Sequence, residues 1–152
     1  MSTRAVVAMG KGDGSWRLYY RHCDGYPAGL GVELVQLLKE GKDEEQIAEL
    51  AKLNFEAYTP GRFVEDAVDT IFPGFQADLE WIYFVDFSTP TPRFDIFRTS
   101  CPYFEENFTF CVWGSYVAYL PPNWVEQLQQ VELVAITVLK ALRAFNKATG
   151  RR

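Results

Sequence analysis

The sequence predicts an α+β fold in a single domain, residues 1–152, with a mainly antiparallel sheet built from hairpins and flanked by helices, including a long C-terminal helix. Asp13-Gly14 separates two extended apolar runs, which is a strong short-range signal for a β-hairpin. Apolar residues recur at helical spacing in residues 30–38 and again from residue 123 towards the C-terminus. No internal repeat or flexible linker divides the chain, and 152 residues can bury a core without metal or disulfide bonds.

The first hairpin is formed by the two runs that flank the Asp13-Gly14 turn, residues 4–10 and 16–23. A two-residue turn places Ala5 opposite His22, and one face of the hairpin is then almost wholly apolar. A three-residue loop would shift the pairing by one residue and mix arginines with core residues. The sequence therefore favours the two-residue turn.

Two helices are predicted after this hairpin. Leucines at helical spacing over residues 30–38 indicate the first helix, and Gly41 ends it. Asp43 and Gln46 have the spacing of a capping box, which starts a second helix. We expect that helix to end before Pro60 because proline removes a backbone donor.

The middle of the chain predicts two more hairpins. Residues 79–87 form a nearly continuous apolar run, which is typical of a central strand covered on both faces. After a proline-rich turn, residues 93–98 alternate apolar and polar side chains and complete the second hairpin. A third hairpin is expected over residues 108–120, with its turn at Gly114-Ser115.

Two further helices complete the prediction. A short helix is expected over residues 62–72, where Pro73 and Gly74 would end it. The long C-terminal helix follows Asn123, and its apolar stripe continues to Phe145.

The charge distribution argues against a nucleic-acid-binding protein. The net charge is −5, but the last 20 residues carry five basic residues and no acid, so residues 1–132 carry 10 basic and 20 acidic residues. The phosphate backbone of nucleic acid is negative and binds basic protein surfaces, not acidic ones. No apolar stretch approaches the roughly 18 residues of a membrane span, and the N-terminus lacks the apolar run of a signal peptide. We therefore expect no membrane span and a cytoplasmic location.

Cysteine and histidine usage predicts no metal site and no cofactor. The three cysteines, Cys23, Cys101 and Cys111, have no C-x-x-C spacing, and the chain has one histidine. Aromatic residues are in excess, with 12 Phe, 8 Tyr and 4 Trp making up 16% of the chain. Large flat side chains suit a core and an interface, so we expect self-association or a protein partner.

Reactive side chains concentrate where the first hairpin is followed by the first helix, in Arg21-His22-Cys23-Asp24-Gly25-Tyr26. Side chains alternate along a strand, so His22 and Asp24 are expected on one face and Cys23 on the other. His22 and Asp24 could form a catalytic dyad, but no serine or threonine is placed as its nucleophile. We favour a buried His22 that is bonded to Asp24 or to a backbone carbonyl.

Two arginines are expected on the other face of this hairpin. The favoured register places Arg4 opposite Cys23 and beside Arg21. Two guanidinium groups on one face favour an acidic partner, either an internal carboxylate from residues 65–106 or a small anionic ligand. The internal salt bridge is the preferred alternative. The predicted ligand- or partner-binding site comprises Arg4, Arg21, His22, Asp24, Gly25 and Tyr26.

This junction resembles a group of small uncharacterised proteins from bacteria and their phages. They begin with a Thr-Arg strand, here Thr3-Arg4, and carry a Tyr-x-His-x-Asp-Gly-Tyr-Pro signature, here residues 20–27. The resemblance covers about the first 40 residues and implies a common site or structural corner at this junction, and a phage or mobile-element origin. It implies no reaction. Cys23 stands where members of the group often have an aromatic residue.

These observations together predict a non-enzymatic binding or protein-interaction domain. One alternative is a small hydrolase or transferase that uses His22 and Asp24. The other is a structural subunit of an oligomer.

Overall fold

The computed structural model describes residues 3–12, 15–60, 79–98, 110–131 and 133. Six strands form one sheet: β1 (Arg4–Gly10), β2 (Ser15–Arg21), β3 (Asn54–Pro60), β4 (Leu79–Asp86), β5 (Arg93–Arg98) and β6 (Phe110–Tyr116). The helices are α1 (Val32–Lys39), α2 (Glu44–Leu50) and α3 (residues 124–131). A π-helical turn (Pro27–Gly31) precedes α1, and a 3₁₀ turn (Val117–Tyr119) follows β6.

The α+β class is confirmed, but the sheet is mixed, with the order β3-β2-β1-β4-β5-β6. β1 and β4 pair in parallel at the centre, and the other neighbours are antiparallel. The prediction of a mainly antiparallel sheet is wrong because hairpin signals report only strands that are adjacent in sequence. A parallel pair needs a long crossover connection, and here that connection includes α1 and α2. The central position predicted for residues 79–87 is confirmed.

The predicted register of the first hairpin is wrong by one residue. Ala5 lies opposite Arg21 and Met9 lies opposite Arg17. An apolar face was expected on one side of the hairpin only, but every residue from Ala5 to Met9 is fully buried. Because both sides of β1 are covered, its apolar pattern does not select a register.

The second predicted helix is shorter than expected. The capping box is confirmed, with Gln46 N donating to Asp43 Oδ1 (2.9 Å) and Asp43 N donating to Gln46 Oε1 (3.0 Å). The helix ends at Leu50, and Lys52 adopts a left-handed conformation (φ 55°). The chain then pairs with β2 as β3, so pairing with the sheet decides the conformation of residues 54–60.

The second hairpin, β4 with β5, is confirmed. The third is wrong, because β6 continues through Gly114-Ser115 without a turn and pairs with β5. The C-terminal helix begins after Asn123, as predicted, and residues 124–131 and 133 are helical. The continuation predicted for it beyond residue 133 and the helix predicted over residues 62–72 lie outside the described residues. Within the described ranges, no helix has the length and apolar character that crossing a membrane requires.

The two faces of the sheet carry separate apolar clusters. The helix face, which includes Val7 and Tyr83, packs against α1, α2 and α3. The far face holds a smaller buried cluster, Val6, Ala8, Leu18 and Ile82. Four partly buried aromatic residues pack on that cluster: Trp16, Tyr20, Phe84 and Phe97.

Candidate functional site

The junction predicted as the functional site begins where β2 ends, at Arg21. His22, Cys23 and Asp24 follow, and all three are exposed. Asp24 has a left-handed backbone (φ 56°), so the strand alternation that placed His22 and Asp24 on one face does not reach these residues.

His22 is exposed rather than buried, which corrects the preferred prediction for this residue. The one-residue shift in register puts Arg21, not His22, opposite Ala5 at the end of the helix face. The His22 ring shares a hydrogen bond through Nδ1 with the Tyr20 hydroxyl (3.1 Å). Among the described residues, no hydrogen bond joins His22 to Asp24, so the base and orienting acid of the catalytic alternative are not connected.

Arg21 has an acidic partner and a carbonyl partner on the helix face. Arg21 points to the helix face, where Nη1 forms a salt bridge with Glu33 of α1. Arg21 Nη1 also donates to the Ala51 carbonyl (3.1 Å). Arg4 is the first residue of β1, where it is half-buried and pairs with Leu79 of β4, and the register of that pairing shifts between Arg4 and Ala5. The internal salt bridge expected for Arg21 is confirmed, but its partner is Glu33 rather than an acid from residues 65–106.

Gly25 is a close-packed corner of the fold. Gly25 N donates to the Thr3 carbonyl (2.8 Å), and the Tyr83 hydroxyl donates to the Gly25 carbonyl (2.5 Å). A β-carbon at residue 25 would lie 2.7 Å from Ala5 Cβ and 2.8 Å from the Thr3 carbonyl oxygen. The next residue, Tyr26, is half-buried, and its carbonyl accepts a hydrogen bond from Gly29 N (2.9 Å). These contacts tie the start of α1 to β1 and β4, which is a structural role.

A buried polar trio, which sequence reasoning missed, attaches α2 to β2. Glu44 is 7% exposed, and both its carboxylate oxygens accept from Arg17 Nε (2.7 and 2.6 Å). The Tyr19 hydroxyl donates to the same carboxylate (2.6 Å). Burial, and then the hydrogen bond to Glu44, raise the pKa of Tyr19 well above its usual range. All of these contacts are internal, so the trio stabilises the fold.

The far face has a second buried carboxylate, which accepts fewer hydrogen bonds from the described residues than the carboxylate of Glu44 does. Asp95 of β5 is 9% exposed, and its Oδ2 accepts from Arg93 Nε (2.9 Å). Its Oδ1 is buried and has no donor among the described residues. Burial raises the pKa of Asp95 above its usual range, the Arg93 guanidinium lowers it, and the Asp86 charge raises it further.

A cavity of about 180 Å³ lies against this carboxylate; we call it the Asp95 cavity. Its lining consists of Trp16, Phe84, Asp86, Arg93, Asp95 and Phe97. The Trp16 and Phe84 rings meet edge to face with centroids 5.3 Å apart, and Phe84 and Phe97 are 4.9 Å apart. The alternation of apolar and polar side chains over residues 93–98 predicted a strand and gave no signal for this cavity.

Exposed tyrosines form a third feature, at the end of the sheet where β4 connects to β5. Tyr119 is 78% exposed and Tyr116 is 46% exposed, and their rings lie 6.3 Å apart at 84°. With residues 89–91 they line a cavity of about 370 Å³. A second cavity of about 240 Å³ shares Pro90 and Thr91 with it. We call these two adjoining cavities the tyrosine furrow.

The described part of the chain holds no group of three or more His, Cys, Asp or Glu residues that could bind a metal ion. No protein-family model, curated protein or solved structure matches the chain. The resemblance of the junction to small bacterial and phage proteins therefore stays a prediction.

Proposed function

We propose that this protein is a non-enzymatic protein-interaction domain that binds its partner at the tyrosine furrow. The observation that carries this proposal is the exposure of two adjacent tyrosines, Tyr116 and Tyr119, at adjoining cavities. Tyrosine is enriched at interfaces because its ring supplies apolar contact area and its hydroxyl stays hydrogen-bonded.

The surroundings of the furrow support binding to protein. Pro90 lines both cavities, and proline beside aromatic rings offers a rigid surface that loses little entropy on binding. The Arg93 guanidinium lies 5.8 Å from the Tyr116 ring centroid, which restrains that ring. Lys39 lines the second cavity, so each of the two cavities has a cationic group beside it.

The proposed binding surface is the tyrosine furrow and not the junction after β2 that the sequence predicted. At the junction, the side chain of Arg21 is bound to Glu33 and to backbone carbonyls, and Gly25 is buried in contact with β1. A partner would have to displace these contacts. At the furrow it would find exposed rings that already lie side by side.

The test is site-specific photo-crosslinking from residue 119. A photoreactive phenylalanine analogue at Tyr119 should crosslink to one defined partner, identified by mass, in cells that express the protein. The same analogue at Leu50, which is 56% exposed on α2, is the matched control and should not give that product. The crosslink should disappear from residue 119 when Tyr116→Ala is added.

Each result decides between the candidate functions. A crosslink to a second copy of the chain supports self-association and the structural-subunit alternative. No product specific to residue 119 would reject the furrow as the interface.

A small hydrolase or transferase that uses His22 and Asp24 is the second candidate, favoured by the exposure of His22. An accessible histidine can exchange protons with a substrate. Release of nitrophenol from nitrophenyl acetate and nitrophenyl phosphate by the purified protein, lost in His22→Gln, would support it. Equal rates in the wild type and the variant would remove it.

A further inference from the structure

We propose that the Asp95 cavity binds a small organic cation that carries N–H donors, a guanidinium or a primary ammonium group. This site lies on the far face of the sheet, and its lining shares no residue with that of the tyrosine furrow, although Arg93 of its lining also lies beside the Tyr116 ring. The inference therefore goes beyond the proposed function and does not depend on it.

The carboxylate of Asp95 provides the anchor. Oδ2 accepts from Arg93 Nε, while the buried Oδ1 lacks a donor within the described ranges of the chain. A buried acceptor without a donor is costly, and a ligand N–H would relieve that cost once the Asp95 carboxylate, which lines the cavity, turns Oδ1 towards it. Since a charged donor forms a stronger bond to a carboxylate than a neutral one, a cation gains the most.

The lining has the charge and surface that a cation requires. Asp86 and Asp95 provide two carboxylates against one guanidinium, that of Arg93, so the lining is net negative. Trp16, Phe84 and Phe97 form aromatic walls, and the negative face of an aromatic ring attracts cations. A negative, aromatic cavity disfavours anions.

The size and lining of the cavity narrow the ligand class. At about 180 Å³ it is smaller than the roughly 300–1,000 Å³ of sites that hold drug-sized molecules. It therefore suits one side-chain head group or a small amine. Divalent metal ions need more oxygen ligands than the two carboxylates and three aromatic walls of this cavity offer.

Cation binding is also expected to depend on pH. Burial raises the pKa of Asp95, and the groups that face it are Arg93 on its own strand and Asp86 on β4. Protonated Asp95 loses the charge that attracts the ligand. Affinity should therefore rise as pH increases through the pKa of Asp95.

The experiment is an NMR titration of the full chain with methylguanidinium, followed at the Trp16 indole N–H. We expect a saturable shift, and at least a tenfold weaker affinity in Asp95→Asn, which preserves the side-chain shape. Glu49→Gln removes the same charge from the exposed surface of α2 and should bind as the wild type does. Tetramethylammonium carries the charge but no N–H donor, so it should bind at least tenfold more weakly than methylguanidinium.

Three results would overturn the proposal: no saturable shift in the wild type, equal affinity in Asp95→Asn, or equal binding of tetramethylammonium. If Asp95→Asn does not fold, two measurements on the wild-type protein still decide. These are the preference for methylguanidinium over tetramethylammonium and the rise of methylguanidinium affinity with pH. The role of the Asp95 carboxylate is contradicted if the protein shows no such preference or no such rise.

Discussion

Removing the Glu44 carboxylate measures how strongly the buried trio holds α2 on the sheet. Glu44 accepts from Arg17 Nε and from the Tyr19 hydroxyl at 2.6–2.7 Å. Truncating one partner of a buried ion pair costs about 3–5 kcal/mol because the other charge stays buried without compensation. The Arg17 side chain is 18% exposed and can recruit water, so we expect Glu44→Ala to cost about 3 kcal/mol, the lower end of that range. Glu44→Gln retains an acceptor for Tyr19 and should cost about 2 kcal/mol.

Urea denaturation followed by circular dichroism measures these free energies of unfolding. Glu45→Gln is the matched control, because Glu45 also lies in the first turn of α2 but is exposed. Loss of the helix-dipole interaction is common to both variants, and the control should lie within about 0.5 kcal/mol of the wild type. Equal costs for Glu44→Gln and Glu45→Gln would refute the reasoning. Tyr19→Phe combined with Glu44→Ala should cost less than the sum of the single variants, since both remove the hydrogen bond between Tyr19 and Glu44.

Three further predictions concern stability and use the same denaturation assay. Asp95 has a raised pKa in the folded protein, so the stability of the wild type relative to Asp95→Asn should fall as pH rises above the ordinary Asp value of 3.8; a difference independent of pH contradicts this. Lys52 is exposed with φ 55°, so Lys52→Gly should stabilise the fold by up to about 1 kcal/mol, while Gln36→Gly, at an exposed position inside α1, should destabilise it by about 1 kcal/mol. Gly25→Ala should cost about 1–3 kcal/mol through contact with Ala5 and Thr3, and an unchanged urea midpoint would show that the corner can open without cost.

Local signals in the sequence predicted local structure well. The Asp43–Gln46 capping box and the β4–β5 hairpin are both present, because each depends on residues that are close in sequence. The partner strands of β1 were predicted only in part. Its pairing with β2 comes from a turn, whereas its parallel pairing with β4 joins segments about 75 residues apart and has no short-range signal.

The register of the first hairpin shows why an apolar pattern alone was insufficient. The rejected register was disfavoured because it mixes Arg17 and Arg21 with core residues, and that mixture is what the structure contains. It is tolerated because α1 and α2 supply Glu33 and Glu44 as partners for the two arginines. Pairing and residual exposure of the two arginine side chains offset part of the cost of burying a cation, and the sequence does not state which acid will pair with which base.

The Asp95 cavity depends on the same long-range arrangement. β1 separates β2 from β4, and its residue between Trp16 and Asp86 is Gly10. A β-carbon at Gly10 would lie 2.8 Å from Trp16 Cε3, so the missing side chain lets the Trp16 ring lie across β1 and meet Phe84. The cavity wall thus needs a glycine on one strand, a tryptophan on a second and a phenylalanine on a third. Sequence reasoning could place each residue on a strand, but only the strand order makes them neighbours.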